Sequence, residues 1–415
     1  MKQLQHVFRL IRRDTDASIA VALSIFALTA FYFSTKATQQ PFDYTFRIAG
    51  ALLHGKLGLT MQPPSWLNEM VPLRGEFYSV FPLGAVLVNI PLALLQKLGW
   101  LREYPAHAIA ALLAALSVYF FYRLARLVHG SLARRIMLAL FPVFGTWTWC
   151  NLGFAGAWQL ALGFALLGET AAVYFTLVRP RPLIAGMWFA LAFGNRAELL
   201  LTTPIFIFFW LCRDGSGELF RFAALKRAWL QNWRTITLFL SIPIALGLAT
   251  AVYNFARFQS VFDFGYARIP GVLKEPWYRG RLFSFGAIPW NMHKMLFAGM
   301  EDVPSFPFFR PFPFGSSIFL SCPFLFLLFR EGGKYRLVSW VAIAILTLAL
   351  WCHGNPGGWQ FSYRYAMTLL PWMFLLILGN GPTKLSATEF GLFAVSVAIN
   401  AVATYQFLWT DQIHP

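Results

Sequence analysis

The chain has 415 residues, of which 58% are hydrophobic and only 12% are charged, and its mean hydropathy is +0.57. Soluble proteins carry about 25% charged residues, so this composition excludes a soluble globular enzyme and predicts a polytopic membrane protein. The net charge is +17, but the basic residues fall in blocks between apolar runs, as topology signals and anionic-headgroup contacts do. No basic motif with stacking aromatics is present, so we expect membrane lipids and not nucleic acid as partners.

Signatures of several enzyme classes are missing from the sequence. It contains no Walker A loop, dinucleotide fingerprint, zinc-protease motif or Gly-x-Ser-x-Gly motif. The cysteines lie within or beside apolar runs and lack metal-site spacing, so we interpret them as small buried hydrophobes. They are Cys150, Cys212, Cys322 and Cys352. We therefore expect no cofactor.

Apolar runs follow one another along the chain, and several fall short of the roughly 20 residues that a membrane-crossing helix needs. They lie near residues 17–35, 80–96, 104–122, 136–150, 155–178, 182–194, 197–212, 235–253, 314–329, 337–352, 366–379 and 387–409. The first run follows Lys2, Arg9, Arg12 and Arg13 and has no small-residue cleavage site before Lys36. We interpret it as an uncleaved signal anchor.

Lysine and arginine in short loops indicate which loops face the cytoplasm. The strong basic clusters are the N-terminus and residues 123–135, 179–181, 213–234 and 330–336. An even number of crossings must separate two inner clusters, yet three apolar runs separate the first two. The run at 80–96 contains Pro82, Gly84 and Pro91, so we interpret it as an amphipathic or re-entrant surface helix. About eleven crossings remain, with the N-terminus inside and the C-terminus outside.

The predicted architecture is all-α, with residues 1–415 forming a single transmembrane domain. The first outer loop, residues 36–103, is expected to carry two surface helices, one after Asp43 and one near residues 80–96. Further outer loops are predicted at residues 254–313 and 353–365.

Asp43 lies just past the first apolar run, within Pro41-Phe42-Asp43-Tyr44-Thr45. A carboxylate where the chain leaves the membrane is placed to act on a substrate delivered by the lipid. The same position suits a helix N-cap, because an apolar-periodic segment follows it. Arg47, His54 and Lys56 come next and suit an anionic ligand. Local sequence leaves both interpretations open.

Ionisable residues also occur at membrane depth. The apolar runs on either side of residues 195–198 form a predicted helical hairpin. Its first arm, residues 182–194, covers roughly 20 Å at 1.5 Å per residue, less than a bilayer core of about 30 Å. We therefore expect a recessed tip, where Arg196 either binds phosphate or pairs with Glu198. Glu169, within another apolar run, is expected to be protonated and hydrogen-bonded, or paired.

Two later outer loops combine arginine with aromatic residues. Their candidate binding residues are Arg257, Tyr266, Trp359, Tyr363 and Arg364. Aromatic planes suit stacking on a sugar ring, and the planar donor fork of arginine suits phosphate oxygens. An interfacial aromatic belt with snorkelling arginines is the alternative interpretation.

An ordered set of segments carries a family resemblance. The segments are Asp43 with Leu53-His54-Gly55-Lys56-Leu57, Arg74 to Gly84, Gly194-Asn195-Arg196, Tyr253 to Tyr266, and Gly357-Gly358-Trp359 with Tyr363-Arg364-Tyr365 and Pro371. In these segments the chain resembles the GT-C superfamily of integral-membrane glycosyltransferases. Protein O-mannosyltransferases and lipid A aminoarabinose transferases are relatives in that superfamily, and the chain looks most like bacterial members.

The resemblance implies an inverting transfer of a sugar from a polyprenyl-phosphate donor to a glycan, lipid or protein acceptor. The reaction would take place at the outer face of a bacterial inner membrane. In the family, an acidic residue of the first outer loop acts as the general base, and Asp43 matches it. The resemblance and the residue types together make the substrate-binding candidates Arg47, His54, Arg74, Tyr78, Arg196, Glu198, Arg257, Tyr266, Trp359, Tyr363 and Arg364.

The sequence departs from the family pattern at two acidic positions. Tyr44 follows Asp43 where many relatives have a second acid, and residues 156–159 carry no acid where one often opens a later helix. These departures argue against a bound divalent metal without excluding one, and Glu69 or Asp263 would have to supply any second carboxylate. The alternatives are a flippase or transporter of lipid-linked substrates and a non-catalytic scaffold for envelope glycans. No convincing internal repeat favours the transporter.

Overall fold

A computed structural model describes residues 2–35, 41–212, 222–278 and 281–413. Lys36, the start of the first outer loop and residues 213–221 of the fourth basic cluster lie outside the described residues, as do the side chains of the N-terminal cluster. The α-helices are α1 (Lys2–Ser34), α2 (Tyr44–Leu52), α3 (Leu83–Leu87), α4 (Ile90–Lys97), α5 (Ala106–Leu124), α6 (Leu132–Phe144), α7 (Thr148–Gly153), α8 (Ala157–Leu177), α9 (Pro182–Asn195), α10 (Thr203–Leu211), α11 (Phe222–Phe258), α12 (Ile288–Leu296), α13 (Ile318–Ser321), α14 (Arg336–Cys352), α15 (Leu370–Asn380) and α16 (Ala387–Trp409). The prediction of a mostly helical chain is confirmed.

Within the described part of the chain, five helices are long and apolar enough to cross a bilayer. They are Thr15–Ser34, Ala106–Leu127, Ala157–Leu177, Lys226–Phe258 and Ala387–Trp409. Shorter apolar segments are Leu83–Lys97, Pro182–Asn195, Ala197–Leu211 and Arg336–Cys352. These helices are compatible with a multi-pass membrane protein, whereas the count of about eleven crossings stays a prediction.

Two basic clusters meet at one end of the helices. Glu389, fully buried in the first turn of α16, pairs with Arg134 at 3.2 Å and with Arg330 at 2.8 Å. Arg134 also donates a 3.1 Å hydrogen bond to the carbonyl of Ile377. This ion cluster joins α6, α15 and α16 to the segment before α14. We call this end of the bundle the basic end.

A second ion cluster at the basic end holds α1. Asp16 accepts contacts from Arg126 at 3.5 Å and from Arg135 at 3.2 Å. The hydroxyl of Tyr122 donates to the same carboxylate at 3.2 Å. The start of the first long apolar helix is therefore anchored to the basic residues that follow α5.

The helices carry the chain from the basic end to the outer loops. α9 begins after Arg181 and ends before Arg196, and α14 begins at Arg336 and ends before His353. α8 runs the other way, and its 21 residues span roughly 30 Å at 1.5 Å per residue. Arg196 and His353 therefore lie at the end of the bundle opposite the basic end.

The described part of the predicted first outer loop contains α2, a β-hairpin and a broken helix. β1 (Met70–Leu73) pairs antiparallel with β2 (Glu76–Ser79), and Arg74 and Gly75 make the turn with φ of 54° and 79°. No sequence pattern predicted this hairpin. The run near residues 80–96 is helical as α3 and α4, and its placement at the membrane surface stays a prediction. Pro91 lies in the first turn of α4, a position that suits the start of a second helix. Asn89 donates to the hydroxyl of Thr45 at 3.1 Å and so joins this helix to α2.

Close backbone packing presses the first outer loop against α9. A side-chain carbon added at Gly84 would lie 2.5 Å from the α-carbon of Gly194, so only glycine permits this approach. A small apolar core beneath the loop adds to the contact, and the ring of Phe81 lies 4.0 Å from that of Trp158 at the start of α8. The loop is thereby fixed beside both α8 and the tip after α9.

The other outer loops are built from short 3-10 helices, the short helix α12 and a two-residue strand pair. Tyr266–Arg268, Val272–Lys274 and Phe285–Ala287 are 3-10 helices, and β3 (Glu301–Asp302) pairs with β4 (Phe309–Arg310). Asn291 of α12 donates to the carbonyls of Trp351 at 3.1 Å and His353 at 2.6 Å. These bonds tie the long outer loop to the end of α14.

Candidate functional site

A cavity of about 450 Å³ lies where the outer loops meet the ends of α8, α9 and α14. We call it the central cavity. Its apolar lining includes Trp158, Phe262, Phe264 and Phe283. Its polar lining is Glu69, Asn195, Arg196, Glu198, Asp263, Tyr266, His353, Asn355, Arg364 and Tyr365. Aromatic walls with a few converging polar groups are typical of small-molecule sites.

Two further spaces adjoin the central cavity. A side cavity of about 510 Å³ shares Glu69, Trp158, Gly358 and Arg364 with it. A smaller space of about 380 Å³, which we call the apolar groove, shares Arg196, Ala197, Glu198, Phe283, His353 and Tyr365 with it. The three spaces therefore follow one another, with Glu69 at one junction and Arg196 at the other.

Glu69 is the carboxylate at the junction of the central and side cavities. It immediately precedes β1, and its Oε2 accepts a hydrogen bond from the indole of Trp158. Burial raises the pKa of the Glu69 carboxyl, and the Trp158 hydrogen bond and the charge of Arg364 oppose this shift. A carboxylate with a raised pKa is a better proton acceptor near neutral pH than an ordinary glutamate.

Arg364 lies across the same junction and begins the 3-10 helix Arg364–Leu369. It is 7% exposed and donates from Nη1 to the carbonyl of Trp359 at 3.2 Å. Its Nε has no hydrogen-bond partner, and its guanidinium forms no ion pair with the described residues. A buried cation without a counter-ion is costly. An anionic ligand in the cavity would supply the missing partner.

Arg196 occupies the tip between α9 and the 3-10 helix Ala197–Thr202. It pairs with Glu198 at 2.7 Å, which realises one of the two interpretations from the sequence while leaving Arg196 in the cavity lining. Its guanidinium carbon lies 4.8 Å from the ring centre of Tyr365, and that of Arg364 lies 5.2 Å from the same ring. One aromatic ring thus holds two guanidinium groups beside the cavity.

His353 lines both the central cavity and the apolar groove. Its Nδ1 lies 2.8 Å from the carbonyl of Asn355, and because a carbonyl only accepts, Nδ1 carries the proton. Burial lowers the pKa of the imidazole, and the charges of Arg196 and Arg364 act in the same direction, whereas the hydrogen bond to Asn355 and the charge of Glu198 oppose the shift without reversing it. The neutral ring therefore keeps Nε2 as a hydrogen-bond acceptor at pH 7.

The structure brings together some of the predicted site residues. Arg196, Glu198, Tyr266 and Arg364 line the central cavity, and Trp359 joins Arg364 in the side cavity. They come from loops that are far apart in the chain. The resemblance-based ordering alone could not indicate that these residues share one space.

Asp43, the predicted general base, does not line either cavity, although its neighbours Phe42 and Tyr44 line the side cavity. It is 6% exposed, and its Oδ1 lies 2.7 Å from Nε of Arg47. It occupies the N-cap position of α2, but its side chain makes no capping hydrogen bond. The structure therefore places Asp43 in an ion pair with the first turn of α2.

Arg257 and Tyr363 are buried behind the cavity and not within its lining. Arg257 donates to the carbonyl of Ser79 and, at 2.7 Å, to the side chain of Asn254. The hydroxyl of Tyr363 donates to the side chain of Asn291 at 3.3 Å. Both side chains connect outer segments to the helix ends.

The remaining predicted residues lie on the first outer loop outside the cavities. His54 is exposed and its ring bonds to the carbonyl of Gly50 at 2.9 Å. Arg74 is exposed at the hairpin turn. Tyr78 is buried, and its ring lies 5.9 Å from that of Phe258. The structure gives these residues surface or packing positions.

The cavity residues that were not among the predicted substrate-binding residues include Glu69, Trp158, His353 and Asn355. Glu69 had been considered only as a second carboxylate. Asp263, considered with it, also lines the cavity but accepts hydrogen bonds from Gly265 at 2.7 Å and Arg268 at 2.7 Å. Across the described ranges, no group of three or more His, Cys, Asp and Glu side chains is arranged to hold a metal ion.

No protein-family model, curated protein or solved structure matches the chain. The chemistry available at the site consequently follows from its own residues. These are a carboxylate with a raised pKa, two arginines on one tyrosine ring and a neutral histidine, beside an apolar groove.

Proposed function

We propose that the protein is a glycosyltransferase that moves a sugar from a polyprenyl-phosphate-linked donor to an acceptor hydroxyl, with inversion at the anomeric carbon. The reaction takes place in the central cavity, at the outer face of a bacterial inner membrane. The observation that carries this proposal is the pair Glu69 and Arg364, a proton acceptor and an unpaired buried cation at one cavity junction.

The donor phosphate binds beside Tyr365, whose ring centre lies 4.8 Å from the guanidinium carbon of Arg196 and 5.2 Å from that of Arg364. The apolar groove suits the first isoprenoid units of the donor, because Leu200, Leu201, Ala349 and Leu350 line it. Such a groove would let the lipid chain stay in the bilayer while its phosphate reaches the cavity. The neutral Nε2 of His353, at the mouth of the groove, accepts from a sugar hydroxyl.

The acceptor approaches from the side cavity, at the other junction. Asn68, Gln159 and Trp359 line that space and offer amide groups and an indole plane to a polar substrate. Inverting substitution needs the acceptor oxygen and the leaving phosphate on opposite sides of the anomeric carbon. The sequence of side cavity, central cavity and apolar groove meets that requirement.

The proposed step is a single displacement. The acceptor oxygen forms a bond to the anomeric carbon as the bond from that carbon to the phosphate oxygen breaks. Glu69 takes the proton of the acceptor hydroxyl, a contribution of about 10²–10⁴ in rate. Arg364 and Arg196 stabilise the charge on the departing polyprenyl phosphate. A phosphate leaving group needs no protonation at neutral pH, so one carboxylate suffices.

Two carboxylates compete for the role of base. Asp43 is the residue that the family resemblance implies, and it is paired with Arg47 outside the cavities. Glu69 lines both cavities and has no cationic partner within ion-pair distance among the described residues. The geometry therefore favours Glu69 as the general base, with Asp43 supporting the start of α2.

The test uses purified protein in proteoliposomes with a panel of synthetic polyprenyl-phosphate hexoses and pentoses and a cell-envelope extract as acceptor. We expect sugar transfer with stoichiometric release of polyprenyl phosphate, lost in Glu69→Gln and largely kept in Asp43→Asn. Transfer at the wild-type rate by Glu69→Gln would refute the assignment of the base. Movement of an intact labelled donor across the bilayer without release would instead identify a flippase.

A further inference from the structure

A second cleft lies in the long outer loop, apart from the central cavity. Its volume is about 380 Å³, and its lining includes Trp277, Tyr278, Arg281, Ser284 and Trp290. None of these residues lines the central cavity, the side cavity or the apolar groove. We call this space the aromatic cleft.

The two indoles of the aromatic cleft are partly exposed to solvent, and each contacts a neighbouring charged side chain. Trp277 is 41% exposed and Trp290 is 48% exposed. The indole N–H of Trp277 donates to Glu275 at 2.8 Å, and the ammonium of Lys294 lies 5.2 Å from the ring centre of Trp290. Rigid aromatic planes that are already oriented lose little entropy when a ligand binds.

The polar groups of the aromatic cleft favour a negative charge. Arg281 is exposed and forms no ion pair with the residues that the structure describes. Ser284 accepts from the backbone N–H of Gly286 at 3.1 Å, which leaves its own O–H free to donate. A guanidinium and a hydroxyl beside two indoles are the groups that recognise an acidic, hydroxyl-rich ring.

One wall connects the aromatic cleft with the central cavity. The hydroxyl of Tyr278 donates to that of Tyr266 at 3.2 Å, and Tyr266 lines the central cavity. Gly354, between two residues of the central cavity, packs so closely on Tyr278 that an added side-chain carbon would lie 2.6 Å from its ring. A chain-like ligand that occupies the central cavity can therefore extend to the aromatic cleft over this wall.

We propose that the aromatic cleft binds a pyranose unit that carries an acidic group. The apolar face of the ring packs on Trp277, with Trp290 beside it in the lining, and the acidic group meets Arg281. A uronic acid and a phosphorylated sugar share this chemistry. That the unit belongs to the acceptor glycan rests on the proposed function; that the cleft binds an acidic sugar does not.

The experiment measures binding of three disaccharides to the purified full-length protein by saturation-transfer NMR titration. The probes are cellobiose, cellobiouronic acid and cellobiose 6′-phosphate, which separate the neutral ring from the two acidic sources. We expect tighter binding of at least one acidic disaccharide. Trp277→Ala should weaken all binding about tenfold. Arg281→Gln should bring the affinity for the acidic sugar to within about twofold of that for cellobiose.

Trp100→Ala is the matched control, because Trp100 is an exposed tryptophan of the first outer loop outside the aromatic cleft. It should leave sugar affinity unchanged. The proposal fails if Trp277→Ala and Trp100→Ala change the sugar affinity equally. It also fails if Arg281→Gln still binds the acidic disaccharide more tightly than cellobiose, as the wild-type protein does. It also fails if Trp277→Ala weakens binding only to anionic phospholipid nanodiscs, which would make the cleft part of an interfacial belt.

Glu69→Gln separates this proposal from the proposed function. Glu69 does not line the aromatic cleft, so the variant should bind the acidic disaccharide with wild-type affinity. Absence of sugar transfer by the wild-type protein, with cleft binding and its variant effects intact, would overturn the glycosyltransferase alone. Transfer that depends on Glu69, without any acidic-sugar binding at the cleft, would overturn the cleft alone.

Discussion

Buried Glu389 at the basic end of the helix bundle is ion-paired, whereas Glu69 and the buried Arg364 at the outer end have no ion pair with the described residues. At the basic end, the fully buried Glu389 receives both Arg134 and Arg330. At the outer end, Glu69 receives an indole hydrogen bond, and Arg364 keeps a nitrogen without a partner among the described residues. The first arrangement satisfies its charges within the protein, whereas the second leaves them for a ligand.

This contrast matters because the chain carries few charges, only 12% of its residues. Paired charges at the basic end connect helices, and none of them lines the cavities described above. Unpaired charges at the outer end raise the energy of the empty site and lower that of the occupied one. Variants at the two ends should therefore separate stability from activity.

Glu69→Gln should have the largest effect on activity. Loss of the proton acceptor should lower the rate of sugar transfer by about 10²–10⁴. Since burial raises the Glu69 pKa, ionisation of this group costs stability above that pKa, and the neutral amide removes the cost. Transfer assays and thermal unfolding in detergent should thus show an inactive variant whose Tm is not reduced. A clear fall in Tm would instead assign Glu69 a structural role.

Arg364→Gln should lower transfer by about 10²–10³, as removal of one charge-stabilising donor does at other enzyme sites. Its Tm should stay unchanged or rise, because the variant removes a buried cation that has no ion pair with the described residues. The measurements are the rate of sugar transfer at saturating donor and the Tm, and both are compared with those of Arg257→Gln. Arg257 is buried and bonded to Ser79 and Asn254, so its loss should lower Tm.

Glu389→Gln tests whether the ion cluster at the basic end stabilises the fold. Removing one partner of a buried ion cluster typically costs about 3–5 kcal/mol, because it leaves uncompensated charge on Arg134 and Arg330. Thermal unfolding should show a large fall in Tm. The fraction that remains folded should transfer sugar at the wild-type rate per molecule. Unchanged stability would mean that the basic end is not the stabilising region.

Local sequence predicted much of the fold. Composition and apolar runs predicted a mostly helical chain, and Pro82, Gly84 and Pro91 marked the run that folds as two short helices. The i, i+4 spacing of Asp43 and Arg47 allows the ion pair between them, although Arg47 was predicted to contact an anionic ligand. Each of these features depends on neighbours within one or two turns.

The site depended on contacts that local patterns do not contain. The pKa of Glu69 depends on its hydrogen bond from Trp158, 89 positions away, and on the charge of Arg364 on another loop. The β-hairpin at residues 70–79 was missed because its strands are four residues long and resemble loop sequence. The packing of Gly84 on Gly194 brings these parts together, and no single segment predicts it.

The pH dependence of transfer provides the finest test of the outer end. Glu69 must be ionised to accept a proton, so kcat/KM should fall as the pH drops through its pKa. Because burial raises that pKa, the acid limb should lie above the range of an ordinary glutamate. The hydrogen bond from Trp158 favours the ionised form and so lowers the pKa.

Trp158→Phe keeps an aromatic ring against Phe81 but removes the N–H donor. Without that donor the pKa of Glu69 rises, so the acid limb should move to higher pH while the rate at alkaline pH changes little. Trp359→Phe is the control, since Trp359 lines the side cavity without a hydrogen bond to Glu69. Equal shifts in both variants, or a limb that stays in place, would remove Glu69 from the proton transfer and return the role of base to another group.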